Sequence, residues 1–154
     1  MLDTNIASHC LRRSSAALEE RVNQGLLRQT LAIAVLTCAE LRFGQAVMAA
    51  DDRRLSLIDH FLPQLANLPW TPQAADLYGL LKDTHRRAGT PIGELDTQIA
   101  AHALAEGLTL VTPTTRHFDQ VPGLVVEDWL AEPTAPAPGS ATASRKPKNR
   151  RKQL

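Results

Sequence analysis

Short apolar runs alternate with segments of helical periodicity along most of this 154-residue chain. The run LAIAVL at 31–36 is typical of a buried strand, and it passes directly into TCAELRFGQAVM, which has helical spacing. LTLVT at 108–112 is a second such run, and LVVEDW at 124–129 is a third. Apolar strands separated by helices are typical of a parallel sheet whose two faces are both covered. The sequence therefore predicts an α/β fold with a central parallel sheet.

The remaining segments complete the predicted order of elements. Residues 1–2 are expected to be the end of a very short first strand, and 68–70 (LPW) a short later strand. Helices are predicted, in chain order, over 5–13, 16–25, 51–68, 72–89 and 94–107. The last two have clear end signals, because Thr71-Pro72 suits a helix start and Gly89 and Gly107 suit helix ends.

The composition changes after residue 132. Residues 133–144 (PTAPAPGSATAS) contain no large apolar side chain, so they cannot bury enough surface to offset the entropy of ordering. Residues 145–154 carry six of the 17 Lys and Arg and no acid, which leaves 11 Lys and Arg against 16 acids elsewhere, a net charge of −5. We predict a folded domain over 1–132 and a disordered linker with a basic tail over 133–154. The tail is either an electrostatic arm for nucleic acid or a solubilising end.

Several classes of protein do not fit this sequence. It has neither a basic segment followed by an apolar run at its start nor an apolar run near the roughly 18 residues of a membrane span, so we expect a cytoplasmic protein with no membrane partner. Cys10 and Cys38 lack metal-ligand spacing and are expected to be free thiols. A serine hydrolase elbow, Gly-x-Ser-x-Gly, is absent. Zinc spacing is also missing among the scattered histidines His60, His85, His102 and His117.

Polar residues follow the predicted strands at the positions where ligands bind to open α/β sheets, outside the carboxyl ends of the strands. Asp3 follows the first strand, and Glu40 comes four residues after the run 31–36. The segment TPTT at 112–115 follows the strand 108–111. All three places are expected to share one mouth of the sheet.

Two acids lie on apolar helix faces. Helical spacing places Asp96 and Glu40 each on a face with apolar or small residues, namely Ile99, Ala100 and Ala103 for the first and Leu36, Phe43, Gly44 and Val47 for the second. A carboxylate in such a place is costly unless a positive charge, such as a divalent cation, compensates it. Each acid also has an ordinary explanation, since Asp3 or Asn5 suits a helix cap, Glu40 a partly exposed helix position and Asp96 the first turn of a helix.

Four segments together resemble the PIN-domain ribonucleases, and among them the VapC toxins of bacterial VapBC toxin–antitoxin systems: MLDTNI, AELRFG, IGELDTQIAAHALAEGLTLVT and TRHFDQVPGLVVEDW. The resemblance covers nearly all of residues 1–130. It implies a PIN-like α/β/α sandwich and an endoribonuclease dependent on Mg²⁺ or Mn²⁺ that cleaves RNA, such as transfer or ribosomal RNA. It also implies two protein partners, a second copy of the chain in a homodimer and a VapB-type antitoxin.

The resemblance extends to single positions. Asp3, Glu40 and Asp96 match the family's metal-binding acids, and the supporting positions are matched by Thr4, Asn5, Thr112 and Arg116. Asn5 is expected to orient Asp3. Thr114 stands where the family usually has an Asn or Asp as a fourth metal-site ligand, and we include it among the catalytic residues. Because its hydroxyl brings no charge, we predict weaker metal binding, compatible with a single ion.

Two other functions stay open at this point. Thr114 is equally compatible with a PIN-like module that binds RNA or antitoxin with weak or no nuclease activity. The second is a different Mg²⁺-dependent hydrolase, such as a phosphatase. Phosphatases with an aspartyl nucleophile usually have a second Asp two residues after the first, and this chain has Asn5 at that distance from Asp3. On the surface, Arg42 and Arg116 are candidates for RNA contact. The apolar residues of the first two helices either line an antitoxin groove or pack in the core, and they are Ile6, Leu11, Leu18 and Leu26.

Overall fold

The computed structural model describes residues 1–131 of the chain. The helices are α1 (Thr4–Leu11), α2 (Ala16–Leu27), α3 (Val35–Ala46), α4 (Arg54–Phe61), α5 (Pro72–Ala88), α6 (Glu94–Ala105) and α7 (Thr115–Phe118). The strands are β1 (Ala32–Ala34), β2 (Ala66–Leu68), β3 (Leu110–Val111) and β4 (Val126–Glu127). Among these residues no helix has both the length and the apolar character that crossing a membrane requires. The predicted domain end at 132 and the tail 133–154 lie outside the described residues.

The N-terminal residues join the strands into one parallel sheet. β1 pairs with β2 and β3 pairs with β4, both in parallel. Leu2 makes parallel bridges to both Ile33 and Val111, and its N–H donates to the Ala32 carbonyl at 2.8 Å. On the other side the Asp3 N–H donates to the Val111 carbonyl at 3.0 Å. The predicted short first strand therefore lies at the centre, in the order β2, β1, residues 1–3, β3, β4.

Each face of the sheet is covered by its own hydrophobic core. Leu2, Ile33 and Val111 pack on one face with buried residues of α1, α2 and α4. Their neighbours Met1, Ala34 and Leu110 pack on the other face with buried residues of α5, α6 and α7. Adjacent strand residues point to opposite faces. The predicted sandwich of helices, parallel sheet and helices is thus confirmed.

The end signals of α5 work as predicted. The Thr71 hydroxyl accepts a hydrogen bond from the Ala74 N–H at 3.2 Å, with Pro72 in the first turn. Gly89 ends the helix with φ of +68°, a left-handed conformation that glycine adopts without strain. Gly107, which follows α6, likewise has φ of +61°.

Three predicted boundaries are wrong. The helix predicted over 51–68 ends at Phe61, followed by a 3₁₀ turn at Leu62–Gln64 and then by β2. Pro63 explains the break, because proline cannot donate the backbone hydrogen bond that would continue an α-helix. The strand predicted at 68–70 accordingly lies earlier, at Ala66–Leu68. The run 31–36 contributes only three strand residues, since Val35 already begins α3.

Candidate active site

Asp3 lies at the end of the central strand and at the start of α1. Its backbone is bonded into the sheet, and its carboxylate caps the helix by accepting a hydrogen bond from the Thr4 N–H at 2.6 Å. The second carboxylate oxygen accepts a hydrogen bond from the Thr112 hydroxyl at 2.7 Å. Asp3 is only 3% exposed, and Thr112 is fully buried. The side chain is therefore fixed by two neighbours that belong to different parts of the chain.

The surroundings of Asp3 oppose its negative charge. Burial raises the pKa of Asp3 above its ordinary value of 3.8, and the negative charge of Asp96 raises it further. Hydrogen bonds from Thr112 and from the backbone of Thr4 and Asn5 lower the pKa and offset part of this effect. The charge of Asp96 reaches Asp3 although α6 is distant in sequence, so the fold brings these two acids to the same region.

Glu40 reaches the same region from α3. Its carboxylate accepts a hydrogen bond from the Thr4 hydroxyl, so Thr4 contacts Asp3 through its backbone and Glu40 through its side chain. A cavity of about 190 Å³ lies beside this pair, with Arg12, Leu41 and Gly44 among its lining residues. Thr4 is thus the residue that links the first and second predicted acids.

Asp96 lies in the first turn of α6, as predicted, and contacts a residue that sequence reasoning missed. Its Oδ2 atom is 3.0 Å from Nδ1 of His117 on α7. Both side chains are partly exposed, at 32% for Asp96 and 43% for His117. Glu94, two residues earlier, instead pairs with Lys82 at 2.7 Å and accepts a hydrogen bond from Tyr78.

The loop after β3 places the remaining predicted residues. The Thr114 N–H donates to the Thr112 hydroxyl at 3.1 Å, and the Thr114 hydroxyl accepts a long hydrogen bond from the Asn5 amide at 3.4 Å. Asn5 therefore acts on Asp3 through its backbone hydrogen bond, while its side-chain amide points to Thr114. Thr112 is the residue whose side chain orients Asp3. Arg116 is exposed, and its side chain makes no hydrogen bond or ion pair with any residue in 1–131.

Comparison with known proteins assigns this arrangement to a family. A family model described as PIN domain matches residues 1–124. The tRNA(fMet)-specific endonuclease VapC of Salmonella typhimurium is 35% identical over 129 residues, which are 84% of this chain and 96% of that protein. This chain belongs to the VapC group of PIN-domain proteins. Ribonuclease VapC2 of Haemophilus influenzae is 35% identical over 130 residues, covering 84% and 97% of the two chains.

Solved structures agree with this assignment. The crystal structure of DNA-bound VapBC from Salmonella typhimurium aligns with a TM-score of 0.77 and 34% identity, over 84% of this chain and 96% of that one. The predicted PIN fold and the resemblance to VapC are confirmed. PIN nucleases depend in general on a divalent metal ion, and the donor atoms of this VapC-type site determine whether it can hold one.

The side chains of the site have the chemistry that a divalent cation requires. Asp3, Glu40 and Asp96 offer carboxylate oxygens, the ligands that Mg²⁺ and Mn²⁺ take in proteins. Burial and the charge of Asp96 both raise the pKa of Asp3, so a nearby cation would favour its ionised form. Within the described chain, however, no three His, Cys, Asp or Glu side chains are close enough together to hold an ion. Glu40 accepts a hydrogen bond from Thr4 and Asp96 contacts His117, each through one carboxylate oxygen, so the other oxygen of each carboxylate stays available to an ion.

The predicted apolar residues of the first two helices divide into two groups in this VapC-type chain. Ile6 and Leu18 are fully buried in the core. Leu11 and Leu26 instead line a cavity of about 310 Å³ between α1, α2 and α4, together with Cys10, Val22, Leu57 and Phe61. Burial also raises the pKa of the Cys10 thiol to about 11, so this free cysteine is an inert lining residue rather than a nucleophile.

The apolar face of α3 is not where its pattern predicted. Phe43 is 71% exposed and Val47 is 68% exposed, whereas the buried residues of this helix are Thr37 and Leu41. The expectation that Glu40 lies on a stripe facing away from solvent is therefore wrong for the single chain. Leu36, Glu40 and Gly44 are half-buried, so the exposed apolar part of the stripe consists of Phe43 and Val47. Neighbouring exposed apolar side chains of this kind are typical of contact surfaces.

Proposed function

We propose that this VapC-type protein is the toxin of a type II toxin–antitoxin pair, a metal-dependent endoribonuclease that acts on RNA in the cytoplasm. The observation that carries the proposal is that Thr4 joins two carboxylates at the carboxyl end of the central strand, since its N–H donates to Asp3 at 2.6 Å and its hydroxyl donates to Glu40. Membership of the VapC group supports action on RNA, since the relatives described above are named endonuclease and ribonuclease. We propose Mg²⁺ or Mn²⁺ as the cofactor and transfer or ribosomal RNA as the substrate.

Each residue of the site has a proposed task. Asp3, Glu40 and Asp96 would hold the ion, directly or through water. Thr112 holds the Asp3 carboxylate in place by its hydrogen bond of 2.7 Å, and Thr114 would position a water or a phosphate oxygen. A divalent ion bound there supplies an activated water and neutralises charge on the phosphoryl oxygens. Carboxylates alone would repel the phosphate, which is why the acids need the cation.

RNA binding would depend on exposed basic residues around the site rather than on the acids within it. Arg116 supports this role, because it is exposed and directly follows the loop that carries Thr114. Arg42 is a weaker candidate, since its guanidinium pairs with Asp59 at 2.5 Å and with Gln45 at 2.7 Å. The basic segment 145–154 lies outside the described residues, and its charge alone supports a role as an RNA-holding arm. Its deletion should then weaken RNA binding and flatten the salt dependence.

We propose the cavity between α1, α2 and α4 as the docking site of a VapB-type antitoxin. Leu11, Leu26 and Phe61 offer apolar contacts there, with Arg13 and Glu19 among the lining residues. Such a groove fits the apolar side of an amphipathic segment. The solved VapBC complex of Salmonella typhimurium, in which a related chain occurs with its partner, supports this type of assembly.

We propose the exposed stripe of α3 as part of a homodimer interface. Phe43 and Val47 are large apolar side chains that a soluble single chain leaves in water at a cost. A second copy of the chain would cover both stripes at once if the two α3 helices met about a twofold axis. The interface would place the two active-site mouths on one assembly.

The decisive experiment is a cleavage assay with the purified full chain on transfer and ribosomal RNA. Cleavage should require Mg²⁺ or Mn²⁺, stop on chelation and return when the metal is added back. Because water rather than the RNA 2′-hydroxyl is the proposed nucleophile, the products should lack a 2′,3′-cyclic phosphate. Sequencing of the new ends then identifies the RNA and the position of the cut.

The same assay tests the alternative that the neutral Thr114 leaves only a binding module. Its supporting observation is that no three metal-ligating side chains converge within residues 1–131. RNA binding without metal-dependent cleavage would establish the binding module and overturn the nuclease proposal. Metal-dependent release of inorganic phosphate from small phosphate esters, without RNA cleavage, would indicate a phosphatase instead.

A further inference from the structure

A cavity of about 470 Å³ lies between the end of α5, the connection that follows it and the first turn of α6. We call it the α5–α6 cavity. Small-molecule sites in proteins have volumes of roughly 300–1,000 Å³, so it is large enough to hold a ligand. Its wall has an apolar part, formed by Pro91 and Ile92, and a polar part that includes His85 and Thr97. The nuclease proposal above gives this cavity no task.

The wall of the α5–α6 cavity contains a buried histidine with an unsatisfied nitrogen. His85 is only 4% exposed, and its Nε2 atom has no hydrogen-bond partner within residues 1–131. Thr97, the other buried polar side chain of the wall, is satisfied, since its hydroxyl donates to the Gly93 carbonyl at 2.8 Å. An unpaired buried polar atom costs free energy, and most such atoms in folded proteins have a partner. A polar group of a ligand in the cavity would supply the hydrogen bond that His85 lacks.

The opening of the α5–α6 cavity has an excess of positive charge. Asp83 pairs with both Arg86 and Arg87, at 2.7 Å in each case, so one carboxylate faces two guanidinium groups. Lys82 pairs with Glu94, also at 2.7 Å. These three cations and two acids leave one positive charge without a counterpart. Exposed ion pairs of this kind are weak, and an arginine can exchange one for a phosphate group.

The α5–α6 cavity and the candidate active site share the first turn of α6. Glu94 and Thr97 line the cavity, and Asp96 lies between them in the sequence. A Cβ atom added to Gly93, just before α6, would lie 3.4 Å from Oδ2 of Asp96, so this part of the connection adjoins the Asp96 carboxylate. One turn of an α-helix rises only about 5.4 Å. An RNA strand with a phosphodiester bond at Asp96 would therefore bring a neighbouring nucleotide to the cavity.

We propose that the α5–α6 cavity binds one base of the RNA substrate, next to the phosphodiester bond that is cut, and so contributes to the choice of the cleavage site. The inference rests on the proposed nuclease. The flat faces of a base suit the apolar contacts of Pro91 and Ile92, and its ring nitrogens and exocyclic groups can hydrogen-bond to His85. Arg86 binds the phosphate of the same nucleotide. A phosphate alone would leave the apolar wall uncovered, and a purely apolar ligand would leave His85 unpaired.

The test uses the purified full chain without metal and the four nucleoside 5′-monophosphates as probes. Ribose 5-phosphate, which has the phosphate but not the base, and inorganic phosphate are the reference ligands. At least one nucleotide should bind about 10-fold more tightly than ribose 5-phosphate in an NMR titration, because the base adds a hydrogen bond and apolar contacts. The same nucleotide should shift the imidazole signals of His85 in ¹H–¹⁵N spectra, and ribose 5-phosphate should not.

His85→Leu removes the unpaired nitrogen and keeps an apolar side chain in the buried position, so the fold should persist. This variant should lose about 10-fold in nucleotide affinity, and it should raise the KM of metal-dependent RNA cleavage while kcat changes by less than about 2-fold.

Arg86→Glu changes the opening of the cavity rather than its wall. It should weaken the binding of the nucleotide and of ribose 5-phosphate alike, by about 5-fold or more. Arg53→Glu is the matched control, because it makes the same charge change at an exposed position beside α4, which packs on the other face of the sheet. It should change neither affinity. Thermal melting verifies that each variant is folded, and Arg86→Glu together with the wild-type spectra decides the question should His85→Leu melt early.

Nucleotides that bind no more tightly than ribose 5-phosphate would overturn the inference. Unchanged affinity and KM in a folded His85→Leu would do the same, since His85 would then be only a structural residue, and unchanged affinity in Arg86→Glu would place the nucleotide elsewhere. Metal-dependent RNA cleavage would survive each of these results, so the nuclease proposal would stand. A chain that binds a nucleotide through His85 but never cleaves RNA would keep the base-binding cavity and overturn the nuclease proposal alone.

Discussion

Helices α3 and α6 carry the same pattern, an acid followed by apolar or small residues three, four and seven positions later, yet their surroundings are opposite. After Asp96 these residues are Ile99, Ala100 and Ala103, all buried in the core. After Glu40 two of them are Phe43 and Val47, which are largely exposed. The pattern identifies residues that share a face, but it does not identify what covers that face. In α6 the cover is the chain itself, and in α3 we propose that it is a second copy.

The largest expected effect is on RNA cleavage. Asp96 and Glu40 should act in one site although they lie on different helices. Asp96→Asn and Glu40→Gln should each lower RNA cleavage by about 1,000-fold, because each removes a charged ligand of the ion. Single-turnover cleavage of labelled RNA measures this loss. Asp76→Asn, an exposed acid on α5, is the control and should keep full activity. Wild-type cleavage by Asp96→Asn would show that the α6 acid has no role in the reaction.

Substitutions on the two apolar faces should differ in their effect on the free energy of unfolding, and this difference should be smaller than the effect on cleavage. Ile99→Ala in α6 should lower the free energy of unfolding by about 2–5 kcal/mol, because it leaves a cavity in a packed core. Val47→Ala at the C-terminal end of α3 should change it by less than about 0.5 kcal/mol in the single chain. Denaturant unfolding at low protein concentration measures both values. Equal losses would mean that the α3 face is already covered within one chain.

The proposed dimer contact of α3 can be disrupted by a single substitution at its surface. Phe43→Glu should weaken self-association by about 2 kcal/mol or more, because two like charges would meet across the symmetric contact. Light scattering combined with size-exclusion chromatography should then show a monomer that is still folded. Ala75→Glu, which adds the same charge on exposed α5, should leave the dimer intact. A dimer that persists in Phe43→Glu places the interface elsewhere.

The smallest expected effect concerns the stability of the metal-free protein. Because burial holds the pKa of Asp3 above 3.8, the folded state favours the protonated carboxyl. This contribution to stability is fully present below the unfolded pKa and is lost as the pH rises through the folded one. Asp3→Asn should therefore be more stable than the wild type at pH 7, by about 1 kcal/mol, a typical size for one substitution. The difference should shrink as the pH falls towards 4.

Bound metal should stabilise the wild type rather than Asp3→Asn, and it therefore serves as the internal control for the stability measurement. Mn²⁺ or Mg²⁺ should raise the melting temperature of the wild type, because a ligand that binds only the folded state stabilises it. Asp3→Asn should respond weakly or not at all. An identical metal response in both proteins would mean that Asp3 is a helix cap and not a metal ligand.

Local signals were the most dependable part of the sequence. The cap at Thr71 and the left-handed stop at Gly89 depend only on residues within a few positions, and both occur as predicted. The predicted helix over 51–68 was wrong because Leu55, Ile58, Leu62 and Leu65 keep a helical period through a proline. β2 was displaced because it is largely exposed and lacks an apolar run. An edge strand of this kind leaves little pattern in the sequence.

In the candidate site, too, local motifs could be predicted from the sequence and long-range contacts could not. Asp3, Glu40 and Asp96 could be selected from the sequence because each follows a strand or lies in a motif that resembles the VapC toxins. His117 was passed over, since its distance from the other histidines has no zinc-like spacing. Its contact with Asp96 joins residues 21 positions apart and depends on the turn at Thr114. Only the folded α7 shows that the two side chains meet.

The hydrogen bond between Asp3 and Thr112 joins residues that are 109 positions apart. The N-terminal residues are made first, but they cannot take their central place in the sheet until β3 exists. Contacts of such long range form late, because the intervening chain must first be closed into a loop. A ribosome that is still making this chain therefore carries Asp3 with no partner strand on the β3 side. The activity that we propose would begin only after the chain has been synthesised beyond Thr112, which separates translation of the toxin from its action on RNA.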